Sequence, residues 1–403
     1  MSALLPGATI GIFGGGQLGR MMAMAARGMG YRILVLDPDP GCPARFIVDG
    51  CIEAAWDDSR GAAMLARGCD VVTLEIEQIG EHSMASAATF CPVRPGGALL
   101  AIVQNRIEQK NWLRKHGFPI GDFRAVRSLD EVRTAIHELG GKCFCKSATG
   151  GYDGRGQGKV GFKPDSAPGA PRLDSETWVS EDDILGAWEA LGEGPGVVEK
   201  AIDLEREISV MVARSPSGEV KVYPAAWNHH ENQILDWSVI PAPITADMEA
   251  TARRLAAEIA DTFQLEGLLA VEMFVTRPEG GKPGQLLINE LAPRPHNSYH
   301  QSERACVTSQ FEQAIRAVCD LPLGDVDVVQ PAAIANLLGD EWLNADGSPR
   351  QPAFDKALAV PGVRLHLYEK LKPRKGRKMG HLSAVGATPE EAVERVLQAK
   401  AAL

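Results

Sequence analysis

Two glutamates, Glu272 and Glu290, draw attention first through their setting. Each lies in an apolar run, Leu268–Thr276 or Gln285–Leu291, and the runs flank the Pro- and Gly-bearing segment Arg277–Gly284, so together they read as a hairpin. A turn symmetric about residue 281 sets the two carboxylates opposite each other, with Cβ atoms about 5 Å apart. Like charges at that spacing repel, and a divalent cation with oxygen ligands is the natural counter-charge. Asn289 beside Glu290 adds a neutral oxygen. A slip of register would separate the pair and leave two ordinary acids. Arg294-Pro295-His296-Asn297-Ser298 follows at once, and its guanidinium fork suits a phosphoryl or acyl-phosphate oxygen pair.

Three glycine- or cation-rich stretches extend this chemistry. Gly150–Gly158 holds five glycines in nine residues. That composition costs entropy in ordered structure and is retained where backbone must approach a ligand closely. Lys146 precedes it at the end of an apolar strand. No G-x-x-x-x-G-K-[ST] occurs, so the stretch is not a P-loop; a hairpin folding over the phosphates of a nucleotide fits it, and a plain surface loop is the alternative. Gly14-x-Gly16-x-x-Gly19 follows a strand and opens a helix, where bare N–H groups at Gln17 and Leu18 attract an anion. Read alone it is also the dinucleotide fingerprint, with Asp37 as the ribose acid. The run Lys370–Lys378 carries six cations in nine residues of a chain whose net charge is −10. It reads either as a solvated face or as a phosphate-monoester pocket. Glu75 and Glu77 end a strand two residues apart and so point to one face, where a polar substrate at the sheet's carboxyl edge would meet them.

The elements that must carry these residues alternate β and α at the start: strands Thr9–Phe13, Arg32–Leu36 and Val71–Leu74, and helices Arg20–Arg27 and Gly61–Arg67, which imply a parallel sheet. In the middle, strands Lys142–Lys146 and Lys159–Phe162 enclose the glycine loop, a flexible excursion spans Lys163–Thr177, and Val197–Lys200 and Glu207–Arg214 are further strands. A last strand, Met379–Val385, precedes a helix with Thr388 as N-cap, Pro389 as first residue and Glu391 closing a capping box. The length of 403 residues suits two or three domains. The acidic balance argues against a general nucleic-acid partner. The eight cysteines form no C-x-x-C pair, and Cys143 and Cys145 sit in an apolar run, so all are expected as buried thiols. No apolar run is long enough for a membrane span and the start lacks a signal-peptide pattern, which makes the cytoplasm the expected location.

Taken in order, GGGQLGRMM, TLEIE, QNRIEQK, GGYDGRGQG, VEKAIDLEREISVMVAR, AVEMFV, NELAPRPHNS, SQFEQAIRAV and GRKMGHL resemble the ATP-grasp superfamily and, within it, the N5-carboxyaminoimidazole ribonucleotide synthetases, over essentially the whole chain. The resemblance implies an α/β fold with an α+β lid: a Rossmann-like preATP domain (1–105), a lid domain with the Gly-rich hairpin (106–200) and a large mixed-sheet domain (201–403). It implies ATP held by Arg106, Lys146, Gly151, Tyr152, Asp153, Gly154, Arg155, Gly156, Gln157, Glu199, Lys200, Ala201, Ile202, Glu207, His230, Asn289 and Glu290. Glu272 and Glu290 match the magnesium carboxylates, for two ions. Gln17, Leu18, Glu75, Arg294, His296, Asn297, Lys370, Arg374 and Arg377 match the ribonucleotide contacts, and Arg294, Lys146, Tyr152, Asp153 and Arg155 the reacting centre. The run Lys370–Arg374 is one residue longer than usual, so Lys370 and Lys372 both match the phosphate-site lysine. Trp227 stands where relatives carry Glu, and Tyr299 where Gly is usual.

The implied reaction converts bicarbonate to carboxyphosphate with ATP and transfers the carboxyl group to the amine of aminoimidazole ribonucleotide, releasing ADP and phosphate. Lys146 and Lys200 are expected beside the phosphates. The resemblance also implies a homodimer and a hand-off of the product to a mutase. Two other enzyme readings differ in substrate or class: a formate-dependent glycinamide ribonucleotide transformylase, and an NAD-dependent oxidoreductase built on Gly14–Gly19. A non-catalytic nucleotide-binding regulator is a third, opposed by the presence of Lys146, Glu272 and Glu290.

Overall fold

A computed structural model describes residues 2–150, 156–162, 179–278, 280 and 283–403. Strands β1 (Thr9–Phe13), β2 (Arg32–Asp37), β3 (Gly50–Glu53) and β4 (Val71–Leu74) form a parallel sheet in the order β3-β2-β1-β4. Every residue of β1 is buried, as a central parallel strand requires when both faces are covered. Its alternation sorts the faces. Ile10 and Ile12 pack with Met21, Met22 and Ala26 of the helix Gln17–Gly28, whereas Phe13 packs with Ala62, Leu65 and Ala66 of the helix Ser59–Arg67. The first of these helices begins three residues earlier than the expected Arg20, so the glycine turn runs directly into its first turn.

Four antiparallel strands, β5 (Phe123–Val126), β6 (Cys143–Ser147), β7 (Gln157–Val160) and β8 (Gly196–Lys200), form a second sheet in the order β5-β8-β6-β7. The β6–β7 hairpin pairs Lys146 with Gln157, two residues nearer the tip than the expected start at Lys159. Gly151, Tyr152, Asp153, Gly154 and Arg155, and the expected excursion Lys163–Thr177, lie outside the described residues.

The large sheet runs β14-β13-β9-β11-β12-β15-β17-β16, with β10 beside β9. Its strands are β9 (Leu204–Arg214), β10 (Val220–Val222), β11 (Ala226–Glu231), β12 (Ile234–Ile240), β13 (Gly267–Thr276), β14 (Leu286–Ala292), β15 (Ala332–Leu338), β16 (Val363–Leu367) and β17 (Lys378–Val385). On β9, Val210 and Val212 face Leu255 and Ile259 of the helix Ala246–Phe263. Met211 and Ala213 face the other way, into the same apolar cluster as Met21, Met22 and Ala26. One continuous core therefore joins the first sheet's helix to the large sheet and fixes the carboxyl edge of the first against the hairpin β13–β14. The C-terminal helix Pro389–Ala401 starts as expected, with Thr388 accepting from the Glu391 N–H. The reciprocal half of the capping box shifts by one residue: the Glu391 carboxylate accepts from Ala387 N–H at 2.6 Å.

Candidate active site

Glu272 on β13 pairs directly with Glu290 on β14. Beyond that pair the register shifts, and Met273 pairs with Ile288, so Asn289 is the extra residue of a β-bulge. Strict alternation would send Asn289 and Glu290 to opposite faces; a bulge re-aims side chains locally. Asn289 Nδ2 lies 3.5 Å from Glu272 Oε2, and Lys146 Nζ donates to Asn289 Oδ1 at 3.3 Å. Arg106 Nη1 reaches Glu290 Oε2 at 2.8 Å, and His296 Nε2 lies 3.1 Å from Glu272 Oε1. Burial works to raise the Glu272 pKa, but the His296 hydrogen bond and the nearby His230 and Lys146 hold that carboxyl well below its ordinary range. The three hard oxygen donors of Glu272, Asn289 and Glu290 are the set that magnesium takes, so the residues present fit that ion.

Lys146 also pairs with Glu199 Oε2 at 2.6 Å, and Lys110 pairs with Glu199 Oε1 at 2.7 Å. All three side chains are buried. Burial would raise the Glu199 pKa, but the two lysines hold it strongly down; burial lowers that of Lys110. Two cations on one carboxylate leave a surplus positive charge away from water, which an anionic ligand would neutralise. Lys110 received no role from the sequence, although it closes the QNRIEQK stretch. Lys200 is a correction: next to Glu199 on β8, strand alternation sends it to the opposite face, and it is exposed, so it does not join Lys146. The Lys200 N–H is bonded to Asp122 O and that of Ala201 to Lys142 O, with Ile202 following. Glu207 and His230 sit together at 2.8 Å on neighbouring strands β9 and β11. Burial opposes protonation of His230, but the Glu207 contact prevails and raises its pKa.

The glycine turn after β1 is partly filled by the protein itself. Gly16 and Gly19 donate N–H groups to the two oxygens of Glu75 at 2.8 and 3.2 Å, and Gly15 donates to Asp37 at 2.7 Å. The shared face expected for Glu75 and Glu77 is therefore corrected. The strand stops at Leu74, Glu75 turns under the helix N-terminus, and Glu77 reaches Arg294 Nε at 3.1 Å. Burial raises the Glu77 pKa, opposed by Arg294. Asp37 is buried and bonds Gly15 and Asp39 N–H groups, so it is committed to its own loop and not to a ribose. Gln17 Oε1 accepts from Lys370 Nζ at 2.6 Å, which brings the basic run onto the turn that Gln17 and Leu18 open. Arg377 has its pKa lowered by burial and by Arg374 close by, the arrangement a phosphate would relieve. Lys370, not Lys372, is the lysine placed on Gln17.

Between these parts lies a cavity of about 570 Å³ lined by Trp56, Glu77, Gln104, Arg106 and Glu290, among others, and by Gly150 at the start of the lid loop. Gln104 holds its rim by donating to the Glu77 and Ile79 carbonyls; it too received no role from the sequence. Asn297 is buried with both side-chain polar atoms unpartnered. Buried amides are normally satisfied, so this one is set for a ligand. The two unusual residues do not line the site. Tyr299 is fully buried, donating to backbone carbonyls of Ser209 and Pro224, and Trp227 packs edge-on against Trp237 beneath Arg206. Gly156 and Gln157 are the described remnant of the lid loop; Gly156 adopts φ 67°, open to glycine.

Comparison with known proteins decides which family owns this arrangement. Family models match a ribonucleotide synthetase preATP-grasp domain over residues 7–104, an ATP-grasp domain over 111–311 and a phosphoribosylaminoimidazole carboxylase C-terminal domain over 332–395. The chain is 37% identical to the N5-carboxyaminoimidazole ribonucleotide synthase of Bacillus subtilis over 393 residues, covering 98% of this chain and 95% of that one. The chain belongs to the N5-carboxyaminoimidazole ribonucleotide synthetase family. The member from Brucella melitensis is 38% identical over 95% of this chain and 98% of its own. An ADP complex of an N5-carboxyaminoimidazole ribonucleotide synthetase superposes with TM-score 0.86 at 39% identity, over 99% of this chain and 97% of that one. The Aspergillus clavatus synthase, solved with ADP and 5-aminoimidazole ribonucleotide, superposes with TM-score 0.83 at 29% identity, over 98% of both chains. The synthetase family, an ATP-grasp fold and ATP-dependent ligase chemistry are thus as the sequence implied, and the oxidoreductase reading of Gly14–Gly19 falls.

Proposed function

We propose that this synthetase uses ATP to carboxylate the amino group of 5-aminoimidazole ribonucleotide with bicarbonate, releasing ADP and phosphate. The observation that carries the reading is the Glu272–Asn289–Glu290 bulge with Lys146, Arg106 and His296 around it. Glu272 and Glu290 would hold magnesium, two ions on the family's pattern, and metal bound there would screen the charge of the transferring phosphoryl group. Lys146 and Lys110, in surplus over Glu199, neutralise phosphate charge, and the Glu207–His230 pair is the ribose end of the nucleotide site. Glu199 and the segment through Lys200, Ala201 and Ile202 form the adenine end.

Bicarbonate is a poor electrophile because its carbon is shielded by anionic oxygens; phosphorylation makes one oxygen a leaving group. Arg294, oriented by Glu77, holds the bicarbonate and then the carboxyphosphate. The amine of the ribonucleotide attacks that carbon, or CO₂ released from it, and phosphate departs. Gln17, Leu18, Lys370, Arg374 and Arg377 receive the ribonucleotide's phosphate, with His296 and Asn297 at its base. On the family's pattern alone, Gly151, Tyr152, Asp153, Gly154 and Arg155 are assigned to nucleotide binding and the reacting centre, where excluding water would protect a labile intermediate. On family grounds the working form is a homodimer in the cytoplasm that passes its product to a mutase.

ADP release measured with each pair of acid and amine tests this. Stimulation requiring both bicarbonate and aminoimidazole ribonucleotide supports it. Stimulation by formate with glycinamide ribonucleotide would replace it with the transformylase reading.

A further inference from the structure

Away from the reacting centre, α-helical residue Glu303 and the facing histidines of β16 and β17 bring three metal-ligating side chains together. One ligand atom each from Glu303, His366 and His381 lies within 4.8 Å of the others. We propose that these residues bind one zinc-type divalent ion, distinct from the magnesium carboxylates.

The fold preorganises two of the ligands. His366 and His381 are direct cross-strand partners, their rings 5.0 Å apart and 14° from parallel. Tyr368 Oη lies 2.8 Å from His381 Nδ1, which leaves Nε2 for the ion and supplies the second hydrogen-bond partner that fixes a ligating imidazole. Glu303 comes from the short helix Ser302–Ala305 and, among the described residues, makes no ion pair. Arg364, also on β16, is a cation that acts on its carboxylate and would compete with the ion for it.

A separate observation points to the same place. His300 is 1% exposed, stacks on His381 at 4.8 Å, and has its Nε2 without a hydrogen-bond partner. Two imidazoles and one carboxylate form a set that zinc takes with an open fourth position, for water or a shifted His300. Magnesium, which prefers oxygen, would stay at Glu272 and Glu290. The open side is solvent-reachable, because Glu303 is exposed and His366 only part-buried. An ion here would clasp the helix Ser302–Ala305 to the hairpin from which the chain continues through Tyr368 to Lys370.

Metal-stripped full-length protein, carrying Glu272→Gln and Glu290→Gln to silence the magnesium site, is titrated with Co²⁺ and then Zn²⁺, by equilibrium dialysis and visible absorption. One Co²⁺ per chain is expected, with d–d bands that Zn²⁺ abolishes. Glu303→Gln and His366→Gln, both at accessible positions, should each weaken binding by at least about 10-fold, the scale on which even outer partners of a ligand act, with unchanged circular dichroism. Absence of stoichiometric binding in the parent, or unchanged affinity in either variant, would overturn the proposal.

Discussion

The glutamate at position 290 is held between two demands, an arginine in the protein and the nucleotide's charge. Glu290→Gln keeps the shape and removes the charge, so ADP formation should fall by at least about 100-fold, the scale of losing one charge-stabilising group at a reacting centre; steady-state turnover measures it. Arg377→Ala should raise KM for the ribonucleotide far more than KM for ATP, since Arg377 and Arg374 stand together on the basic run whose Lys370 reaches Gln17. Equal rises in both would move the phosphate pocket elsewhere. At this scale the sequence showed the residue types and their order. It did not show their partners. Glu75 and Glu77 look alike in TLEIE, yet one bonds the amides of Gly16 and Gly19 and the other an arginine more than 200 residues away. Lys110 was hidden for the same reason: its partner Glu199 is remote in sequence, and only packing shows the triad.

Among the elements, strand periodicity made the hairpins readable and the bulge unreadable. Alternation predicts the face of Glu272 and the pairing with Glu290, but a one-residue insertion in a ladder leaves no mark in the hydrophobic pattern. The glycine turn is equally exacting. A Cβ on Gly19 would stand 2.5 Å from the carbonyl oxygen of Gly14. Gly19→Ala should therefore displace the helix start, lower the thermal midpoint and raise KM for the ribonucleotide. A variant that melts and binds like the parent would show that the turn has room the structure denies it. The capping box erred by one residue because Glu391 found the N–H of Ala387 within reach, a choice local sequence does not encode.

Across the whole molecule, one apolar cluster and one buried cation tie the parallel sheet to the large one. Arg94 is 2% exposed, pairs with Glu266 at 2.9 Å and donates to the Val318 carbonyl at 2.6 Å. Arg94→Ala strands the buried Val318 carbonyl, while the half-exposed Glu266 can turn to water, and should cost about 1–3 kcal/mol, as an unsatisfied buried acceptor does; urea unfolding reads it. Thiol chemistry gives an independent check on the packing. Burial pushes the Cys143, Cys145, Cys306 and Cys319 thiols up to about 12, so they should resist Ellman's reagent at pH 8 in the native protein and react on unfolding. The change from βα alternation to antiparallel pairing was visible in sequence. How the parts face one another was not, because the joining core draws single residues from many elements.

The proposed chemistry depends on a divalent ion seated between two acids paired across the hairpin. Crystals grown with ADP and Mn²⁺ permit a direct look by anomalous scattering. A peak within coordinating distance of both Glu272 and Glu290, adjoining the terminal phosphate of the nucleotide, is the predicted result. A peak elsewhere, with the two side chains still engaged by His296 and Arg106, would contradict it.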